Sequence, residues 1–121
     1  MADELTEKII GAAIEVHKLL GSGLLEAIYE EALCHELYLR GLSFQRQVEV
    51  AVRYKDKLIQ GQRLDLLVMN EVVVELKSQR GLPEVAVAQL LSYLKASDLK
   101  RGLLINFGEV RLVDGIKRLS L

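Results

Sequence analysis

The sequence contains no tryptophan, and aromatic side chains make up only 5% of its residues. Branched aliphatic residues dominate its apolar half instead, a composition that suits layers of helix and sheet. Its single cysteine, Cys34, has no partner in the chain for a disulfide. We therefore expect Cys34 to be a small buried apolar residue.

The sequence also lacks a basic excess and a long apolar run. Its formal net charge is −1, which excludes a strong general attraction to nucleic acid and leaves a local basic patch as the route to such binding. No apolar run approaches the ~20 residues that a membrane span needs, and no secretory signal precedes the first helix. We expect a cytoplasmic protein without a membrane partner.

The residues that are present predict one soluble globular domain over residues 1–121. The chain is 50% hydrophobic and 27% charged. A chain of this length buries roughly two thirds of its unfolded surface, which is enough for a single core.

Three stretches have the apolar spacing of amphipathic helices. The first runs from about residue 4 to 20, with Asp3 or Thr6 as its N-cap. The second is predicted from about residue 24 to 40, with Ser22 able to cap it. Its apolar stripe is Leu25, Ile28, Ala32 and Leu39. The third begins at Pro83, the favoured first position of a helix, and runs to about Ala96.

From Phe44 onward the apolar period changes to two, which predicts a long half-buried strand. Lys55 and Asp56 form the expected turn, and Gly61 a bulge in the returning strand. A mainly apolar run predicts a buried strand over residues 103–107, and residues 110–113 are considered as a further strand. The side chains expected on one face of the first strand are Phe44, Val48, Val50, Val52 and Tyr54.

A central hairpin over residues 63–77 is apolar on both faces, which implies a mixed sheet covered by helices on both sides. It nevertheless carries Asp65, Glu75 and Lys77. Strand side chains alternate, so Glu75 and Lys77 point the same way. Buried charges cost desolvation energy unless they pair or hold a ligand.

The length of the hairpin turn decides whether Asp65 can join Glu75. Directly opposed residues share a face. A two-residue turn at Asn70 and Glu71 separates the two acids, whereas a three-residue turn that begins at Met69 opposes them. Asn70 tolerates the left-handed conformation that a bulged loop often needs, and we predict the odd turn or an equivalent bulge.

Four motifs follow one another in a recognisable order. Residues 23–29 read GLLEAIY, and residues 16–21 read VHKLLG. Asp65 precedes the segment ELK at 75–77, and residues 89–93 read QLLSY. Together they resemble the small GxxExxY proteins of the PD-(D/E)XK nuclease superfamily, including its E-x-K signature and the Gln-x3-Tyr motif of one branch. Leu64 stands where that pattern has proline, which concerns the backbone alone.

This resemblance covers nearly the whole chain and implies an α/β fold, restriction-endonuclease-like, with a mixed central β-sheet flanked by helices. It implies hydrolysis of nucleic-acid phosphodiester bonds by a metal-dependent nuclease. Carboxylates are hard ligands that suit Mg²⁺ or Mn²⁺. The metal ligands it implies are Glu26, Asp65, Glu75 and the carbonyl oxygen of Leu76.

The same resemblance assigns the remaining roles. Lys77 would position or deprotonate the attacking water, or stabilise the charged transition state. Gln89 would steer the phosphate or the water. The catalytic set is therefore Lys77, Glu75, Asp65 and Gln89. The supporting residues are Tyr29, Tyr93 and His17.

Each of these residues also has an ordinary structural interpretation. Glu75 and Lys77 can form a same-face ion pair, Asp65 can be a rim carboxylate, and Glu26 suits the positive end of a helix. The alternative function is a non-catalytic binding or assembly module that retains the nuclease fold. Action within a larger complex is a third possibility, and we expect a homodimer.

Overall fold

A mixed five-stranded sheet forms the centre of the computed structural model, which describes residues 3–121. No helix in that range is long and apolar enough to cross a membrane. The elements in chain order are α1 (Glu4–Leu20), α2 (Glu26–Leu39), β1 (Phe44–Tyr54), β2 (Lys57–Val68), β3 (Val72–Lys77), α3 (Glu84–Ser97), β4 (Arg101–Asn106), a 3₁₀ helix (Leu112–Gly115) and β5 (Ile116–Ser120).

The strands lie in the order β1-β2-β3-β4-β5. Only β3 and β4 are parallel, and every other neighbouring pair is antiparallel. Parallel neighbours need a crossover connection, and α3 supplies it. The arrangement confirms the predicted mixed sheet and the restriction-endonuclease-like α/β class.

Helices cover both faces of the sheet, as the apolar strands predict. One core packs α1 and α2 against Leu66, Val74 and Leu76. The other packs α3 against Leu64 and Val73. Burial on both sides explains why β3 begins with three valines, and it makes the charges of Glu75 and Lys77 at its end unusual.

Of the two predicted N-caps of α1, Asp3 is correct and Thr6 is not. Its Oδ1 accepts hydrogen bonds from the backbone nitrogens of Leu5 (3.0 Å) and Thr6 (3.4 Å). The predicted cap of α2 is wrong. That helix begins at Glu26 after Leu25, and no side chain caps it, so Ser22 lies outside the cap position.

The apolar stripe predicted for α2 is also wrong, except at Ala32, which is partly buried against the core. Leu25, Ile28 and Leu39 are 76%, 47% and 62% exposed. The helix is rotated so that a second set of apolar residues is buried: Tyr29, Leu33, Cys34 and Leu37. The large ring of Tyr29 stacks on Phe107 at 4.5 Å and determines that rotation. The expectation that Cys34 is buried is confirmed.

The β1–β2 ribbon contains two irregularities. The register shifts where Gly61 has a φ of 122°, which confirms the predicted bulge. Gln47 has a φ of 51°, which interrupts the alternation of β1. Phe44 therefore packs with α1 and α2, whereas Val48 packs beneath α3. The expectation that these two residues share a face is wrong.

The strand considered over residues 110–113 does not form. The last strand is β5 (Ile116–Ser120), which pairs with β4 at the sheet edge. Edge strands often carry exposed charges that prevent pairing with other chains. Lys117 and Arg118 serve that purpose here, and their charge conceals the strand pattern in the sequence.

The buried side chain of Asn106 fastens the loop that follows β3. Its Oδ1 accepts from the nitrogens of Gln79 (3.1 Å) and Gly108 (3.0 Å), and its Nδ2 donates to the carbonyls of Gln79 (2.8 Å) and Gly81 (3.0 Å). A Cβ on Gly108 would lie 2.6 Å from the Gln79 nitrogen. Only glycine allows this close approach.

Replacement of Asn106 by leucine removes the partner of four backbone groups in a loop whose residues Gln79 and Gly81 are exposed. We expect Asn106→Leu to lower the free energy of unfolding by roughly 2–4 kcal/mol, because each lost hydrogen bond contributes about 0.5–1.5 kcal/mol where water can replace the partner. Gln45→Leu is the control, since Gln45 is exposed and bonds only Asn70. Urea denaturation measures both, and equal effects would contradict the role of Asn106.

Candidate active site

The hairpin between β2 and β3 has the predicted three-residue turn. Val68 pairs with Val72, and Leu66 pairs with Val74. Met69 and Asn70 both lie in the left-handed region, with φ values of 55° and 57°. This register places the next residues, Asp65 and Glu75, directly opposite each other.

The two acids bind the backbone of the opposite strand. The Asp65 nitrogen donates to Glu75 Oε1 at 3.0 Å, and the Leu76 nitrogen donates to Asp65 Oδ2 at 2.8 Å. The regular pairing of β2 with β3 ends one residue earlier. Each carboxylate uses one oxygen in this way and retains acceptor capacity on the other.

Burial makes these carboxylates weak acids. Glu75 is only 5% exposed, and desolvation followed by the charge of Asp65 raises its pKa to about 8. Desolvation also raises the pKa of Asp65, although the hydrogen bond from the Leu76 nitrogen opposes this. Two desolvated acids that repel each other favour a bound cation.

Lys77 lies on the same side of β3 as Glu75. The strand pairs with β4 without interruption from Val72 to Lys77, so the alternation of its side chains is regular. No ion pair between Lys77 and an acid forms within residues 3–121. The structural interpretation of Glu75 and Lys77 as a simple ion pair therefore has no support.

Glu26 lies at the rim of the same region, in the first turn of α2. Its pKa is raised by desolvation and then by the charge of Asp65, and it is lowered by the charge of Lys77. The Glu26 carboxylate is therefore within electrostatic range of both residues. The first helical turn also favours its negative charge.

The loop before Glu26 is anchored on two sides. The Tyr29 hydroxyl donates to the Gly21 carbonyl at 2.5 Å and accepts from the Leu24 nitrogen at 3.2 Å. The Ser78 hydroxyl donates to the Leu24 carbonyl at 2.6 Å. Since Ser78 follows Lys77, these bonds join the start of α2 to the end of β3.

Gln89 and Tyr93 lie one turn apart on α3, and Gln89 Nε2 donates to the Tyr93 hydroxyl at 2.9 Å. Desolvation and the charges of Glu75 and Asp65 raise the pKa of Tyr93. Its hydroxyl is therefore within electrostatic range of the paired acids. Gln89 itself is exposed at the surface of α3.

His17 lies elsewhere. Its Nε2 is 2.9 Å from the Glu109 carbonyl, and its ring is 6.3 Å from that of Phe107. These contacts join α1 to the segment after β4. None of the contacts described for His17 reaches the paired acids.

A family model of the PD-(D/E)XK nuclease superfamily matches residues 3–119. The chain belongs to that superfamily. A nucleic-acid substrate is implied by this membership, and PD-(D/E)XK nucleases generally use divalent metal ions. No curated protein and no solved structure matches the chain.

Two carboxylates of this PD-(D/E)XK protein are suited to bind a hard cation such as Mg²⁺. Within residues 3–121 no three histidine, cysteine, aspartate or glutamate side chains form a preassembled metal cluster. Asp65 and Glu75 supply a pair of buried carboxylates, which is the ligand type that Mg²⁺ and Mn²⁺ prefer. Mg²⁺ commonly binds to one or two carboxylates and keeps several waters.

Sequence reasoning missed two groups of residues near this site. Asn106 pairs with Lys77 in the sheet and holds the loop beyond it. Glu30 accepts hydrogen bonds from Arg46 and Gln47 on β1. The position of Glu30, one turn after Glu26, is a signal that a search of the sequence can find.

The raised pKa of Glu75 predicts that the metal-free protein loses stability as the pH rises from about 5 to about 8. The unfolded chain ionises this carboxyl near 4.5, whereas the folded protein retains its proton until about 8. The folded state binds more protons in this window, so the free energy of unfolding falls with rising pH, by about 4 kcal/mol at most. Thermal melts in a chelating buffer measure the slope.

Glu75→Gln removes most of this pH dependence, because glutamine cannot ionise. The exposed residue Glu49 provides the control, and Glu49→Gln retains the wild-type slope. An unchanged slope in Glu75→Gln would show that another group titrates.

Proposed function

We propose that this protein is a nuclease that hydrolyses nucleic-acid phosphodiester bonds with Mg²⁺ or Mn²⁺ as its cofactor. One observation carries the proposal. Asp65 and Glu75 are opposed on adjacent strands, both with raised pKa, and Lys77 lies beside them without an ion-pair partner in the described chain. Membership of a nuclease superfamily supports the same function.

Asp65 and Glu75 would hold the cation, with the Leu76 carbonyl and water as further oxygen ligands and Glu26 at the rim. When bound, the ion would neutralise the acids, lower the pKa of a water and stabilise negative charge on the phosphate. The carboxylates are held by backbone hydrogen bonds, so their orientation is established before substrate arrives.

Lys77 supplies a positive charge beside the acids. An ammonium group there orients the attacking water or stabilises the negative charge that develops on the phosphate. Gln89 donates its amide to Tyr93, so its amide oxygen remains to orient water.

The anchored loop supports placement of the chain among the GxxExxY proteins of this superfamily. Tyr29 bonds both Gly21 and Leu24, and these bonds locate the first turn of α2 that carries Glu26. The tyrosine and the glutamate of the motif thus have one shared purpose. The tyrosine positions the glutamate and does not itself need to contact substrate.

Asp65→Asn is expected to abolish saturable Mn²⁺ binding, because an amide oxygen is a much weaker ligand than a carboxylate. Asp56→Asn, in the exposed turn of β1 and β2, makes the same chemical change away from the site and is expected to bind as wild type does. Isothermal calorimetry measures all three proteins. Wild-type binding that survives in Asp65→Asn would place the metal elsewhere.

Lys77→Met is expected to lower the cleavage rate by about 10²–10⁴-fold while Mn²⁺ binding and folding persist. Lys55→Met is the matched control, since Lys55 is exposed over Tyr54 in a distant turn. The assay compares single- and double-stranded DNA and RNA with Mg²⁺ or Mn²⁺. Equal cleavage by Lys77→Met and wild type would remove Lys77 from the chemistry.

A second candidate is an assembly module that retains the nuclease fold. The exposed apolar side chains of Leu25, which precedes α2, and of Ile28 and Leu39 on α2 favour it, because such surfaces often contact a partner or a second copy of the chain. Wild-type protein without metal binding or cleavage on every substrate class would support this function over the first.

A further inference from the structure

Glu30 joins α2 to β1 through both of its carboxylate oxygens. Its Oε2 accepts from Arg46 Nε at 3.1 Å and from Arg46 Nη2 at 2.9 Å. Its Oε1 accepts from Gln47 Nε2 at 3.0 Å. The Glu30 side chain is only 12% exposed in this pair, so its charge is partly shielded from water.

Gln47 lies opposite Asp65 in the β1–β2 ladder. The flanking pairs are Arg46 with Leu66 and Val48 with Leu64. The φ of Gln47 is 51°, a left-handed conformation that costs a side-chain-bearing residue roughly 1–2 kcal/mol. The bond from Gln47 to Glu30 helps to hold this strained residue in place.

The strain at Gln47 coincides with a change in the direction of β2. Leu64 packs beneath α3, whereas Leu66 packs with α1 and α2. Asp65 lies between these two leucines, which pack on opposite sides of the sheet. Glu30 and the Gln47 side chain are among the groups that act on the Asp65 carboxyl.

The same helix carries Glu26 one turn before Glu30. Residues four apart on a helix lie on one side of it, so the bonds made by Glu30 determine how near that side comes to β1 and β2. The bonds of Glu30 to Arg46 and Gln47 therefore tie the part of α2 that carries Glu26 to the strand beside Asp65.

We propose that Glu30 is a positioning residue that, through Arg46 and Gln47, docks the first turns of α2 against β1 and so sets how closely Glu26 can approach a divalent cation held by Asp65. The inference rests on the proposed function and deepens it. Partners that orient the ligands of a metal commonly contribute about 10–100-fold to its affinity.

Glu30→Gln tests this because glutamine has one acceptor where glutamate has two. It can accept from Arg46 or from Gln47, and its amide group opposes the other donor. We expect Mn²⁺ affinity, measured by calorimetry, to fall at least tenfold, and the cleavage rate to fall with it.

Glu31→Gln is the matched control. Glu31 pairs with the same arginine at 2.8 Å, but its side chain is 69% exposed and makes no bond to Gln47. We expect its Mn²⁺ affinity to stay within about twofold of wild type, because exposed ion pairs contribute little. An equal loss in both variants would mean that only the charge near Arg46 matters, and would overturn the inference.

A double-mutant cycle separates positioning from a general structural role. In a Glu26→Gln background the distance between the two carboxylates no longer matters, so Glu30→Gln is expected to add less than about twofold to the loss of Mn²⁺ affinity. An undiminished additional loss would overturn the inference. So would a lower melting temperature in Glu30→Gln with wild-type Mn²⁺ affinity.

The outcomes also distinguish the inference from the proposed function. Wild-type metal binding and cleavage that persist in Glu30→Gln refute the positioning role and leave the nuclease function intact. Absence of metal binding and cleavage in the wild type refutes the nuclease function, and the inference falls with it.

Discussion

The backbone of the β2–β3 hairpin donates hydrogen bonds to the two acids that the hairpin itself carries. Asp65 receives the Leu76 nitrogen, and Glu75 receives the Asp65 nitrogen. This exchange is possible only in one register, because a slip of one residue in a strand moves its side chains to the other face. A turn one residue shorter would direct Asp65 into the core beneath α1 and α2, where a carboxylate would be costly to bury. The three-residue turn therefore determines whether a site exists.

Departures from ordinary strand structure gather around this pair. Two acids are desolvated, the ladder between β2 and β3 ends beside them, and Gln47 across the ribbon is left-handed. Each of these features costs stability, and natural proteins tolerate such costs mainly where function requires them. The central strands β3 and β4 are otherwise buried and apolar on both faces, and the two cores packed on them supply the stability that offsets these costs. The structure thus combines a buried apolar sheet with one irregular region around Asp65 and Glu75.

The sequence predicted local features well when one physical signal determined them. Apolar periodicity and the Asp3 cap located α1, and the left-handed tolerance of Asn70 supported the three-residue turn. Predictions failed where two signals competed. The second helix has apolar residues on two sides, and burial of Tyr29 against Phe107 decided which side faces the core. The charges of Lys117 and Arg118 disguised β5 as a tail, because an edge strand needs only one apolar face.

By itself, the sequence determined the fold class, the opposition of Asp65 and Glu75, and the pairing of Gln89 with Tyr93, since each depends on neighbours in the chain or across one turn. Only the tertiary structure decided the part played by Asn106 and Glu30. Asn106 binds a loop 25–27 residues away, and Glu30 binds a strand 16–17 residues away. Contacts of that kind depend on how a helix or a loop docks on the sheet, and docking follows from the packing of the whole core, which local patterns do not encode.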